Sequence, residues 1–134
     1  MPQVTYNPSA SVVVVDCLLE AADGASSLLI PVVLDTGASF TLVATDLLVH
    51  LGYDPVRPLL QRQRIVTGSG IEYVPRLTLR SVTAIGQKVT DVEVLGHDLP
   101  AEGGIAGLLG LNFLRHFRLT IRFRKGIVEL VKER

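Results

Sequence analysis

One stretch limits what this chain can fold into. The run Ile30-Pro31-Val32-Val33-Leu34 leads directly into Asp35-Thr36-Gly37-Ala38-Ser39. An apolar run of this length, bounded by turn residues, reads as a buried strand. It delivers one carboxylate onto a tight Thr-Gly turn, and a second apolar run, Phe40 to Val43, follows the small residues. A carboxylate beside an apolar strand end is costly unless hydrogen bonds or a partner support it. Asp35 is therefore either a turn-forming residue or a working acid. The turn reading has its own physics: Asp bonds backbone two residues on, and Gly accepts positive φ. The tripeptide alone does not decide, so the weight falls on its surroundings. These are the apolar strand before it, Ala-Ser after it, and a second motif roughly 70 residues later.

That second motif is Gly107-Leu108-Leu109-Gly110, followed by Leu111-Asn112-Phe113-Leu114. Together the two motifs resemble those of the retropepsin-like (clan AA) aspartic proteases. The resemblance runs from about residue 12 to about residue 130. Its second half looks most like bacterial single-domain members and the protease domain of the DNA-damage-inducible proteins. It implies an all-β fold: a small closed β-barrel of the retropepsin (acid protease) type with one or two short helices, forming one half of a two-fold dimer. It also implies roles. Asp35 would be the catalytic acid/base, and Thr36 would turn its hydroxyl from substrate and bond across the dimer. Gly37 would lie beside the substrate backbone, with Ala38 and Ser39 lining the cleft. Leu108, Leu109 and Gly110 would support the loop from below. The family's flap would fall at Thr67, Gly68, Ser69 and Gly70, closing over an extended peptide that pairs as an added strand. Many viral members carry an Asp two residues after the first motif's Gly and an Arg directly after the second motif's last Gly. Here those positions hold Ser39 and Leu111. Both partners of that ion pair are absent together, which leaves no orphan charge.

The rest of the chain reads as many short strands. Residues 11–19 are β-branched and apolar, residues 20–27 turn on Ala22-Asp23-Gly24, and residues 28–34 form the strand that ends at Asp35. Residues 45–52 carry helix punctuation, with Thr45 as cap, Asp46 in the first turn and Gly52 at the end. His50, near that end, reads as a surface residue. Residues 53–60, with two prolines, form a loop. Residues 63–67 and 71–75 flank Gly68-Ser69-Gly70 as a hairpin with a glycine tip. Residues 77–79 and 82–84 lead to a turn at Ile85-Gly86-Gln87, and residues 89–94 alternate as a half-exposed strand. Residues 96–104 form a loop in which His97 and Asp98 are adjacent. Two such ligands with no third make a poor metal site, so no metal and no cofactor is expected. A short helix over residues 111–116 precedes strands at residues 117–123 and 127–131. The absence of a βαβ rhythm excludes a parallel α/β fold and favours a closed barrel or sandwich. The chain, 1–134, reads as one domain, with residues 1–10 as a flexible arm. In retropepsins the terminal strands interleave with those of the partner, and here the apolar C-terminal strand suits that part better than the arm does.

Hydrolysis of a peptide by carboxylates needs two of them about 3 Å apart sharing one proton, because like charges that close cannot both ionise. One activates water as a general base, and the other supplies a proton to the carbonyl oxygen. This chain has one Asp-Thr-Gly. A complete pair therefore calls for a homodimer in which two Asp35 residues meet on a two-fold axis. Composition agrees: hydrophobic residues make up 48%, mean hydropathy is +0.40 and only 19% of residues are charged, a surplus that a dimer interface would absorb. Zero net charge gives no field toward nucleic acid. The basic residues between Arg115 and Lys125 read as a solvated face. The single Cys17 excludes a disulfide framework. No basic segment precedes an apolar one at the N-terminus, and each apolar run is too short to span a bilayer. A soluble, cytoplasmic protein acting on peptide or protein substrates is the expectation. The competing reading is a retropepsin-fold module that binds peptide or dimerises without turnover.

Overall fold

Alternating apolar and polar side chains shape most of the chain into strands. A computed structural model describes residues 2–57, 60–99 and 104–133. Pro58, Leu59 and residues 100–103 of the expected loops, with Met1 and Arg134, lie outside the described residues. The elements in order are β1 (Gln3–Thr5), β2 (Val14–Glu20), β3 (Ser27–Leu34), β4 (Thr41–Val43), α1 (Thr45–His50), β5 (Arg62–Thr67) and β6 (Gly70–Ala84). They continue with β7 (Gln87–Gly96), β8 (Gly107–Leu109), α2 (Leu111–Leu114), β9 (Phe117–Arg122) and β10 (Ile127–Lys132).

Six strands close into a barrel in the order β2-β3-β8-β4-β7-β6, and β6 returns to β2 through the register Cys17↔Ala84 to Glu20↔Ser81. Closure leaves these strands no free edges. The barrel is filled by one residue in two from each strand. Leu19, Leu79, Val82, Val94 and Leu109 are fully buried, and Phe113 of α2 plugs one end. Strand β6 is 15 residues long and serves two structures. Its first part pairs only with β5, from Thr67↔Gly70 to Arg62↔Pro75, as the hairpin expected at the flap position. From Arg76↔Leu95 onward it pairs with β7 as barrel wall. The strands read separately at residues 71–75, 77–79 and 82–84 are thus one.

The second sheet has the order β1-β10-β9. It seals the barrel through Val128 and Leu130, both fully buried, while the Phe117 and Phe113 rings lie 5.4 Å apart. Its outward side chains Arg118, Thr120 and Arg122 are exposed, as are Arg115, Arg124 and Lys125, in keeping with a solvated face.

Two expectations need correction. Residues 1–10 are not a free arm throughout, because Gln3–Thr5 pairs with Glu129 to Ile127 and the Tyr6 N–H donates to the Gly126 carbonyl at 2.8 Å. The alternation of Val4 between polar neighbours was too short to read as a strand. The C-terminal strand β10 has β9 on one side and β1 on the other, so both its edges are taken within the chain. The sheet's open edges are β1 and β9.

The helix at residue 45 is capped from a distance. Ala44 is its N-cap and its methyl group makes no capping hydrogen bond, and Asp98 Oδ1 accepts the Thr45 N–H at 3.0 Å. Gly52, at φ +96°, closes the other end as expected. The second helix is shorter than expected and stops at Leu114. No helix is long and apolar enough to cross a membrane among the described residues.

Cys17 is fully buried on β2, and desolvation pushes its thiol up to about 12. The folded state thus holds the proton that the unfolded thiol loses above its usual value of about 8.5. Stability is unaffected below that value, and this group lowers it as the pH rises from there toward 12. A thiol reagent at neutral pH should therefore label Cys17 at the rate of global unfolding, rising to the free-thiol rate in denaturant. Rapid labelling of the native protein would contradict this burial.

Candidate active site

The site is built where β8 slides between β3 and β4. Strand β8 runs parallel to β3, with Leu34↔Leu109, and antiparallel to β4, with Leu42↔Leu108. The chain leaving β3 at Asp35 must therefore loop over the end of β8 to reach β4. This is a ψ-shaped crossing, and the Asp-Thr-Gly turn sits on it.

Asp35 is fixed from three sides. Its N–H donates to the Leu109 carbonyl at 3.0 Å, its carbonyl accepts the Ala38 N–H at 3.2 Å, and its Oδ1 accepts the Gly37 N–H at 2.8 Å. The turn reading of the tripeptide is thus realised, and the carboxylate is held by it. Its other oxygen, Oδ2, takes no hydrogen bond among the described residues and is available for chemistry. A Cβ on Gly37 would lie 3.2 Å from Asp35 Oδ1, so a side chain there would press on the carboxylate. Thr36 and Ser39 are exposed and Ala38 is half-buried. No side-chain hydrogen bond of Thr36 forms within the described residues.

Below the turn, Leu108, Leu109 and Gly110 lie directly under the loop. A Cβ on Gly110 would collide with the carbonyls of Phe40 and Ala38, so the loop rests on a bare backbone. The Leu111 and Asn112 amides donate to the Ala38 and Ser39 carbonyls at 2.8 and 3.2 Å. Two further residues, missed in the sequence, lock this arrangement. Thr41 is almost fully buried, and its Oγ1 accepts the Gly110 N–H at 3.2 Å while donating to Asn112 Oδ1 at 2.9 Å. Asn112 Oδ1 also accepts the Thr41 N–H at 2.9 Å, and Asn112 Nδ2 donates to the Glu93 carbonyl at 2.6 Å. A hydroxyl inside an apolar strand must find a partner, and that rule was the signal available at Thr41.

A groove of about 430 Å³ opens beside the turn. Ala38, Ser39, Phe40 and Leu42 form its floor, Gln63, Ile65 and Thr67 of β5 form its roof, and Leu95 and His97 close its end. The structure therefore brings Thr67 together with Ala38 and Ser39 in one groove. Gly68, Ser69 and Gly70 form an exposed tip and do not line this groove. Gly70 takes φ +118°, and Thr67 Oγ1 accepts the Ser69 N–H at 3.2 Å, which sets the tip. A second groove, on the other side of Asp35, is lined by residues of the N-terminal segment and Phe123. Among the described residues neither groove is lined by a second carboxylate. No cluster of three or more His, Cys, Asp or Glu forms among the described residues.

A closed barrel with an aspartate on a ψ crossing agrees with the resemblance to the aspartic proteases. A family model described as Aspartyl protease matches residues 24–113, and the chain belongs to that family. The fold is that of the retropepsin-like members. A crystal structure of a retropepsin-like aspartic protease from Rickettsia conorii superimposes with a TM-score of 0.59 at 24% identity, covering 90% of this chain and 92% of that one. A search of curated proteins finds no match.

Replacing Thr41 with Val tests the lock beneath the loop. The change keeps shape but strands the Gly110 N–H and removes one of two bonds to Asn112. We expect a loss of about 1–3 kcal/mol in urea unfolding. A neutral result would mean that the loop does not depend on this hydroxyl.

Proposed function

We propose that this protein is an aspartic endopeptidase whose catalytic pair is assembled from two copies of the chain. The observation that carries the reading is the state of Asp35. It is a carboxylate fixed through one oxygen on the ψ crossing, and among the described residues the other oxygen has no hydrogen bond and no second carboxylate lines either adjoining groove. A single carboxylate can take a proton from water but cannot at the same time supply one to the carbonyl oxygen. A second copy related by a two-fold axis through the turn supplies the missing group. One carboxylate then acts as base toward the water and the other as acid toward the scissile carbonyl, and a proton passes to the departing amine.

The remaining roles follow from position. Exposed Thr36 bonds across the axis, and Gly37 lets the substrate backbone pass close to the carboxylates. An extended peptide lies in the groove between Ala38-Ser39 and the flap strand. Gly68, Ser69 and Gly70 reach it when the hairpin moves down, an excursion that glycines make easy. Leu108, Leu109 and Gly110 act from below by fixing the loop, without touching substrate. The whole chain acts as one domain. The open edges β1 and β9 are where the terminal sheets of two copies can join.

The mass in solution should rise from one chain to two with concentration, and cleavage of an unfolded protein should follow the dimer fraction. Activity should peak at about pH 4–6, where a carboxylate pair shares one proton. Asp35→Asn should lower turnover by roughly 10²–10⁴-fold or more while leaving thermal unfolding unchanged. A strict monomer, or a dimer inert at every pH, would move the assignment to a peptide-binding module of the same fold.

A further inference from the structure

Arg76 stands where β6 leaves the hairpin and enters the barrel. Its N–H donates to the Gln61 carbonyl at 2.9 Å. Its side chain reaches three other elements. Nε donates to Glu93 Oε2 of β7 at 2.6 Å, and Nη2 pairs with the same carboxylate. Nη1 donates to Gln63 Oε1 of β5 at 3.3 Å. The guanidinium carbon lies 5.4 Å from the centroid of the Phe40 ring, just past the Asp-Thr-Gly turn. Gln63 and Phe40 are roof and floor of the same groove. Glu93 belongs to the lock beneath the loop, since its carbonyl holds Asn112.

One guanidinium therefore ties the hairpin strand, the groove floor and the barrel wall. Beyond it the hairpin is unsupported: among the described residues no hydrogen bond or ion pair joins residues 64–73 to the barrel. The pair with Glu93 is about one-third exposed on the Arg side, so its Coulomb attraction is screened and its worth lies in geometry. That geometry is specific to arginine. A planar fork can serve a carboxylate and an amide while its face covers an aromatic ring, and an ammonium cannot.

We infer that Arg76 is a positioning residue, a clasp at the root of the flap that sets the height of β5 over Phe40 and with it the width of the substrate groove. The clasp is a property of the fold, and its effect on cleavage rests on the protease reading. Hydrogen exchange of the full chain, followed by mass spectrometry, needs no substrate and separates the two. Arg76→Ala should speed exchange across residues 62–73 by about tenfold, the scale of one charge-assisted hydrogen bond, with β2 and β3 unchanged. Arg76→Lys keeps the charge and should resemble Arg76→Ala, and Glu93→Gln should act in the same segment with a smaller effect. These two carry the test if Arg76→Ala fails to fold. With oxidised insulin B chain as substrate, the Arg76 variants should raise KM by about tenfold while kcat changes little, the reverse of Asp35→Asn. Unchanged exchange in the flap, a uniform rise over the whole chain, or full rescue by lysine would overturn the clasp. Absence of cleavage by the unaltered protein would instead overturn the protease reading, and the exchange data would still decide the clasp.

Discussion

The insertion of β8 between β3 and β4 is the constraint on which the rest depends. It needs backbones closer than side chains allow. A Cβ on Gly107 would land on the Leu42 carbonyl, and one on Gly110 on the Phe40 carbonyl. Neither glycine is used for unusual φ; each is used for the absence of a side chain. With those two positions bare, Leu109 can accept the Asp35 amide and Thr41 can reach the Gly110 amide. The carboxylate is then held by backbone on one flank and by its own turn on the other. Preorganisation of this kind removes the need to reorder the group at the moment of reaction. The site thus follows from a packing solution within the barrel.

A consequence appears in how polar groups are distributed. The barrel interior is apolar, and Thr41 and Ser81 are its buried polar residues among those described. Thr41 belongs to the lock under the loop, and among the described residues no buried side-chain nitrogen or oxygen lacks a partner. Thr41 is thus the buried polar residue that fixes the loop, whereas the Ser81 hydroxyl reaches Glu20 Oε1 at 3.5 Å. A half-satisfied network there would cost more than an apolar one. The lock then continues outward through the Glu93 carbonyl to the face on which Arg76 meets Phe40, so loop and flap root share one strand, β7.

Much of this was legible in the residues, for identifiable reasons. The apolar run into Asp35 and the paired glycines at Gly107 and Gly110 are local patterns, and through the resemblance they carry they put the second motif beneath the Asp35 loop. Strand positions followed from alternation, as at residues 89–94, which lie within β7, and 117–123, which overlap β9. What escaped were features set by distant partners. The cap of α1 comes from Asp98, 53 residues away, where the sequence pointed to Thr45. The continuity of β6 through Pro75 hides because its two halves face different partners. Strand β1 is three residues long and has meaning only against β10. Thr41 and Asn112 are 71 residues apart and individually unremarkable.

The same logic bears on the second copy. Composition predicted more apolar surface than one small chain can bury, and the structure leaves some of it exposed. Phe123 is 65% exposed and Val12 41%, and both line the groove that contains Asp35. The turn itself presents Thr36 outward with no partner in its own chain among the described residues. A free carboxylate oxygen, an unpartnered hydroxyl and apolar side chains thus lie side by side on one surface. Exposed apolar residues scattered singly need no explanation, but grouped around an incomplete site they have one. In the two-fold dimer proposed above, the same surface of a second copy would meet all three at once. In that dimer, the association that buries Phe123 would be the same one that completes the carboxylate pair, and assembly would be coupled to activity without any further switch.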